Sequence, residues 1–184
     1  MTIITSGIKT GLIALFVLLL SVISGVTKAE FRFDSLPWNN DQGEQIFPNS
    51  ITGELRVVSL FYTDCPNTCN LTIEKFKQLE KVLHSRDISA NFILMSLDPK
   101  DDTPSALNAY RTERGLVKNN WYFLSSTEQQ VGAVAKRLGY QFTRLDDHVF
   151  HRMKIFIVDS EDSIVDVVKM GTDIELLSIL SERK

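Results

Sequence analysis

The sequence predicts an α/β fold: a central mixed β-sheet flanked by helices, preceded by an N-terminal signal or anchor helix. Three observations carry this expectation. Short apolar runs rich in β-formers alternate with segments whose apolar residues recur at helical spacing. Cap and breaker residues stand between those segments, where element ends need them. The first 29 residues have the composition of a targeting segment rather than of a folded domain.

Each element follows in order. Residues 55–62, with Val57-Val58-Ser59-Leu60-Phe61-Tyr62, read as a buried strand. Leu71-Thr72-Ile73-Glu74-Lys75-Phe76-Lys77-Gln78-Leu79 then repeats its apolar residues every three to four positions, which predicts a helix from Thr68 to Ser85. Phe92 to Leu97 is a second apolar run, stopped by Asp98-Pro99. Thr103 as N-cap and Pro104 in the first turn open a helix that runs to about Gly115. Trp121 to Leu124 is a short strand, and Ser126 starts a helix that ends at Gly139. Lys154–Val158 and Ile164–Val168 are two strands around a polar turn, an antiparallel hairpin. Ile174 to Glu182 is a last short helix. The order β-α-β-α-β-α-β-β-α layers helices on both faces of a sheet. With two cysteines at the first helix start and a closing hairpin, it is the thioredoxin pattern. Residues 30–50 are a polar lead-in that Phe31, Phe33 and Trp38 pin to the body, and residues 51–184 form the thioredoxin-like domain.

The N-terminal segment joins Lys9 to an apolar stretch and to Thr27-Lys28-Ala29, the pattern of a secretory signal cleaved after Ala29. The weakly polar stretch 3–26 is also long enough for a retained anchor that holds the protein at a membrane. Either reading makes the protein exported, periplasmic or anchored to the inner membrane and facing away from the cytoplasm. The net charge is −3; loss of Lys9 and Lys28 leaves 18 basic against 23 acidic residues. No dense run of Lys or Arg occurs, which disfavours nucleic acid as a partner.

Cys65 and Cys69 are the only cysteines in 184 residues. An exported chain with one close pair is not a disulfide scaffold, so the pair is reactive or metal-binding. It lies between a strand and a helix, where unpaired first-turn N–H groups and the helix dipole favour a thiolate. Positions i and i+4 share a helix face about 5–6 Å apart, wider than a disulfide prefers. Two thiolates there can instead hold a soft ion, and a third ligand must be histidine or something weaker. His84 reads as a solvated helix-end residue. His148 and His151 lie in a loop before the late strand, a segment that passes beside the cysteine helix in a thioredoxin-like sheet.

These residues resemble the SCO/SenC family of copper proteins associated with cytochrome oxidase assembly. Phe61-Tyr62-Thr63-Asp64-Cys65-Pro66-Asn67-Thr68-Cys69 is similar to its copper motif. Ser96-Leu97-Asp98-Pro99-Lys100-Asp101-Asp102-Thr103-Pro104, with Leu107 and Tyr110, is similar to a second family segment. Trp121-Tyr122-Phe123-Leu124 and Val134-Ala135-Lys136-Arg137-Leu138-Gly139 also fit. His151, eight residues before Asp159, stands at the interval of the family's ligand histidine. The resemblance covers about residues 53–170. It implies copper as the cofactor, with Cys65, Cys69 and His151 as ligands and His148 as the competing third ligand. It also implies Asp98 near the site, as a tuner or transient ligand. Asp64, Asn67, Asn70 and Arg152 depart from the family pattern. Asp64 beside Cys65 is expected to raise its thiol, while Arg152 and Lys154 favour thiolate formation. Tyr62, Phe61 and Phe150 read as core or site-wall residues.

Two functions compete. The first is a metallochaperone that passes copper to the copper-binding subunit of a cytochrome c oxidase. The second is thiol–disulfide exchange, in which an exposed Cys65 attacks a dithiol client's disulfide and Cys69 resolves it. A peroxidatic site using Thr63 and Arg152 is a weaker third.

Overall fold

The computed structural model describes residues 36–65, 68–145, 148–174, 177 and 179. The signal or anchor segment lies outside the described residues, as does most of the final helix expected over 174–182. Among the described residues no helix is long and apolar enough to cross a membrane.

The chain runs β1 (Trp38–Asn40), β2 (Gln45–Ile46), a 3-10 turn (Pro48–Ser50), β3 (Leu55–Phe61), α1 (Thr68–His84) and β4 (Ala90–Ser96). It continues through α2 (Pro104–Glu113), β5 (Trp121–Ser125), α3 (Glu128–Arg137), β6 (Phe142–Leu145), β7 (His148–His151), β8 (Lys154–Asp159) and β9 (Ile164–Lys169). Seven strands form one sheet in the order β2-β1-β5-β4-β3-β8-β9. β3, β4 and β5 are parallel, while β8 and β1 join antiparallel, so the sheet is mixed as expected.

β3 lies at the centre, and every residue from Leu55 to Phe61 is buried. Val57 and Val58 suit such a strand because branched side chains pack well on a pleated surface. Right-handed crossovers put α1 and α2 on the same face. Phe76 of α1 meets the rings of Phe92 and Trp121 at 5.6 and 5.7 Å, and Tyr110 of α2 meets Phe61 at 5.4 Å. Val58, Leu60, Ile93, Met95 and Leu124 point the other way and have no exposed surface, so both faces are covered.

Thr103 caps α2 as its sequence predicts, its hydroxyl accepting from Ala106 N–H at 3.3 Å. The next helix begins at Glu128, two residues later than expected. Thr127 is its N-cap, and Ser126 donates to the Gln130 side chain at 2.5 Å. α3 ends at Arg137, and Gly139 follows with φ +56°, a left-handed value that glycine adopts without strain. The lead-in carries more than an anchor. Trp38 is 1% exposed as expected, and β1 also extends the sheet by pairing with β5.

The loop expected to hold His148 and His151 is instead a second, two-stranded sheet formed by β6 and β7. Phe142 lies opposite His151 and Leu145 opposite His148. β8 then enters antiparallel to β3, with Ile155 opposite Ser59. The residues just before β8 therefore stand over the carboxyl end of β3, where Cys65 leaves it.

Candidate metal centre

Three side chains converge at that end. One ligand atom each from Cys65, Cys69 and His151 lies within 4.8 Å of the others, a group that could hold a metal ion. Cys69 Sγ is 3.9 Å from His151 Nε2. Two bonds of about 2.0–2.3 Å meeting near 120° separate their donor atoms by about 3.8 Å. The imidazole and this sulfur already stand at that spacing.

Cys65 lies in the turn after β3 and is 9% exposed, so it is not the open nucleophile expected from the sequence. The backbone N–H of Cys69, in the first turn of α1, donates to Cys65 Sγ at 3.2 Å. That contact, with the helix dipole behind it, favours negative charge on Cys65 sulfur. Cys69 is 1% exposed, and its thiol is pushed far up. The largest cause is its hydrogen bond with Cys65, then burial, with Asp102 adding repulsion. Arg152 and Lys154 do not offset these effects, so Cys69 holds its proton at neutral pH.

The cysteine turn is fixed by a carboxylate the sequence did not single out. Asp102 precedes α2 and is 1% exposed. It accepts from the Thr63 N–H at 3.1 Å, from the Thr63 hydroxyl at 2.5 Å and from the Ser96 hydroxyl at 2.5 Å. Burial pushes its carboxyl above the usual range, while those hydrogen bonds pull it back. Thr63 thereby ties the cysteine turn to the scaffold.

His151 is fixed from behind. Its Nδ1 lies 2.8 Å from the Tyr140 hydroxyl, which lies 3.2 Å from the Leu60 carbonyl. In the tautomer with Nδ1–H donating to the phenol oxygen and the phenol to the carbonyl, Nε2 carries the lone pair that faces Cys69 Sγ. Burial, then Cys69 and Cys65, raise the Tyr140 phenol, so it stays a donor. Tyr62 closes another side: its ring meets the imidazole edge-on at 6.0 Å. Burial, then the adjacent Cys65, push its phenol up to about 12.

The remaining candidates separate. His148 is exposed at the far end of the hairpin and is not part of the three-residue group. His84 is exposed at the end of α1, as expected. Asp64 is exposed, and Asp102 is a carboxylate that acts on Cys69. Asp98 is 4% exposed and paired with Arg144 Nη1 at 2.6 Å, while Arg144 Nη2 donates to the Leu97 carbonyl at 3.0 Å. It tethers the β6–β7 hairpin to the body rather than joining the three ligand atoms. Phe61 and Tyr62 are buried walls, but Phe150 is 59% exposed.

The comparisons bear on the family and the fold. The family model described as SCO1/SenC matches residues 28–180. A SCO1 protein homolog of Bacillus subtilis is 22% identical over 163 residues, spanning 86% of this chain and 84% of the relative. The structure of Arabidopsis thaliana ScoI with copper bound superposes with a TM-score of 0.70 at 18% identity, covering 82% of this chain and 96% of that one. BsSco, described as a member of the Sco family of cytochrome c oxidase assembly proteins with a disulfide switch, gives 0.71 at 20% identity over 85% and 93%. The two structural likenesses establish the shared fold.

Proposed function

This chain belongs to the SCO1/SenC family, and on that premise we propose that it is an exported copper metallochaperone. Its copper goes to the copper centre of a cytochrome c oxidase, and Cys65, Cys69 and His151 are the ligands. The observation that carries the reading is the approach of one imidazole nitrogen and two sulfurs within 4.8 Å. Export rests on residues 1–29, read as a signal or an anchor. Copper bound in relatives of known structure supports the choice of metal. Soft thiolates suit Cu(I), and imidazole also serves Cu(II).

The site works by ligand exchange. Cys65 and Cys69 give up their protons as they bind. His151 completes a three-ligand set that leaves room for an incoming client thiolate. Stepwise replacement of the chain's ligands by client thiolates then moves the metal without releasing it to water.

The proton that Cys69 holds fixes the pH dependence. Binding must displace it, so protons compete with the metal. Apparent affinity therefore rises with pH by about tenfold per unit for each proton released. Titration of the reduced chain with Cu(I) between pH 6 and 8 tests this. It should reach about one copper per chain, with affinity increasing across the range. A chain that remains copper-free, or an affinity that is flat with pH, contradicts the reading.

Tyr140→Phe removes the hydroxyl and keeps the ring. Copper affinity should fall about 10–100-fold, the usual effect of losing a group that orients a ligand histidine. Competition against a chelator of known affinity measures it, and an unchanged value would remove Tyr140 from the site.

The closeness of the two sulfurs, which are not joined in a disulfide, favours a second reading, thiol–disulfide exchange. Cys65 thiolate would attack a client disulfide and expel one client thiolate. Cys69 thiolate would then attack the mixed disulfide, releasing a client dithiol and leaving Cys65–Cys69 oxidised. Two electrons pass to the client. Absence of turnover in an insulin-reduction assay eliminates this activity, while copper binding separately decides the first reading.

A further inference from the structure

Building on the metallochaperone reading, we infer that the face around His151 is a docking surface for an acidic protein, the client that receives the metal. Two cavities open at His151. One, of about 280 Å³, is lined by Tyr140, Phe142, Phe150, Arg152 and Lys154. The other, of about 520 Å³, is lined by Arg152, Met153, Lys154, Lys169 and Met170. Among the described residues, three cations and no carboxylate line these cavities. The whole chain carries a charge of −3, so the positive charge here runs against its composition.

The cations remain available to a partner. Lys154 donates to the Gly139 carbonyl at 2.8 Å, a neutral acceptor that leaves its charge uncompensated. Arg152 and Lys169 are exposed and have no ion-pair partner among the described residues. Two apolar side chains stand among them. Phe150, beside His151 on β7, is 59% exposed, and Met170, after the end of β9, is 69% exposed. Aromatic and methionine side chains within a charged rim are the composition of a protein-binding surface. Three cations fall short of the roughly four to eight that hold a protein to an anionic bilayer. The surface also surrounds the one ligand that faces both cavities. A partner seated there brings its own groups to the His151 side of the metal, and opposite charge speeds that encounter.

Two fluorescent peptides test the docking without using the metal. One carries glutamates around a Ser-x-x-x-Ser core that mimics a thiol pair, and the other carries lysines in their place. Anisotropy with the full chain at low salt should show the acidic peptide binding at least about tenfold tighter. The difference should disappear near 0.5 M salt, where the screening length falls to about 4 Å. The double variant Arg152→Glu with Lys169→Glu should lose the preference. Lys81→Glu should keep it, because that residue lies about 18 Å along α1 from Cys69. Equal binding of the two peptides, or an unchanged preference in the double variant, overturns the proposal. So does charge-dependent binding to phosphatidylcholine–phosphatidylserine vesicles with no binding of the acidic peptide, which would assign the face to a membrane. Copper content of the wild-type chain is measured in parallel. Failure to bind copper removes the metallochaperone reading and leaves the docking result standing.

Discussion

Cys65→Ser is expected to take the purified, reduced chain from about one copper to none that can be measured. A serine hydroxyl does not ionise at neutral pH, and oxygen is a poor partner for Cu(I). The loss should exceed that of Tyr140→Phe, since it deletes a donor rather than loosening one. Cys65 is also the cleaner cysteine to replace. It sits in the turn after β3 with 9% of its surface exposed, so a serine there keeps access to water. Cys69 is 1% exposed, and a hydroxyl in its place adds a burial cost of about 1–3 kcal/mol. Metal analysis together with a melting curve separates the two effects. Full copper content in Cys65→Ser would remove Cys65 from the ligand set.

Asp102→Ala should produce the largest loss of stability among the site variants, about 3 kcal/mol. The carboxylate accepts three hydrogen bonds from Thr63 and Ser96, and its removal leaves a buried N–H and two hydroxyls to find other partners. In a chain of this size that corresponds to a fall of about 10 °C in melting temperature. Copper affinity should fall too, because Thr63 leads directly into Cys65. The sign of the pH dependence follows from burial. The folded carboxyl titrates above its unfolded value, so ionising it in the fold costs stability as pH rises through that window. Asp102→Asn cannot ionise and keeps one acceptor oxygen, and should recover much of the loss. Calorimetry on the three chains checks both points. Melting temperatures within 2 °C of one another would show that the Asp102 contacts carry little weight.

The strands and helices with strong local patterns were legible in the sequence. β3 and β4 are mostly apolar and rich in β-formers, α1 has a regular apolar stripe, and Thr103-Pro104 marks a helix start by its chemistry alone. The β6–β7 hairpin was not legible. Phe142-Thr143-Arg144-Leu145 and His148-Val149-Phe150-His151 bury only Val149 among the residues with a described environment, so no clear alternation appears. β1 was hidden for a similar reason: Asn39 and Asn40 are poor strand formers, and pairing with β5 overrides them.

The three residues of the site were also legible, through the cysteine spacing and the histidine interval of a family resemblance. Their support was not. Asp102 reaches Thr63 across 39 positions, Arg144 reaches Asp98 across 46, and Tyr140 meets His151 only because the hairpin folds back. No local spacing encodes such contacts. The pairing of Asp98 with Arg144 was likewise hidden, and Phe150, 59% exposed, lines the cavity at His151 rather than the core.

X-ray absorption at the copper edge of the reduced, copper-bound chain tests the central claim most directly. Two sulfur neighbours and one imidazole nitrogen are expected, with the nitrogen shell lost in His151→Ala and kept in His148→Ala. A nitrogen shell that survives in His151→Ala, or a copper surrounded only by oxygen and nitrogen, would contradict a site built from Cys65, Cys69 and His151.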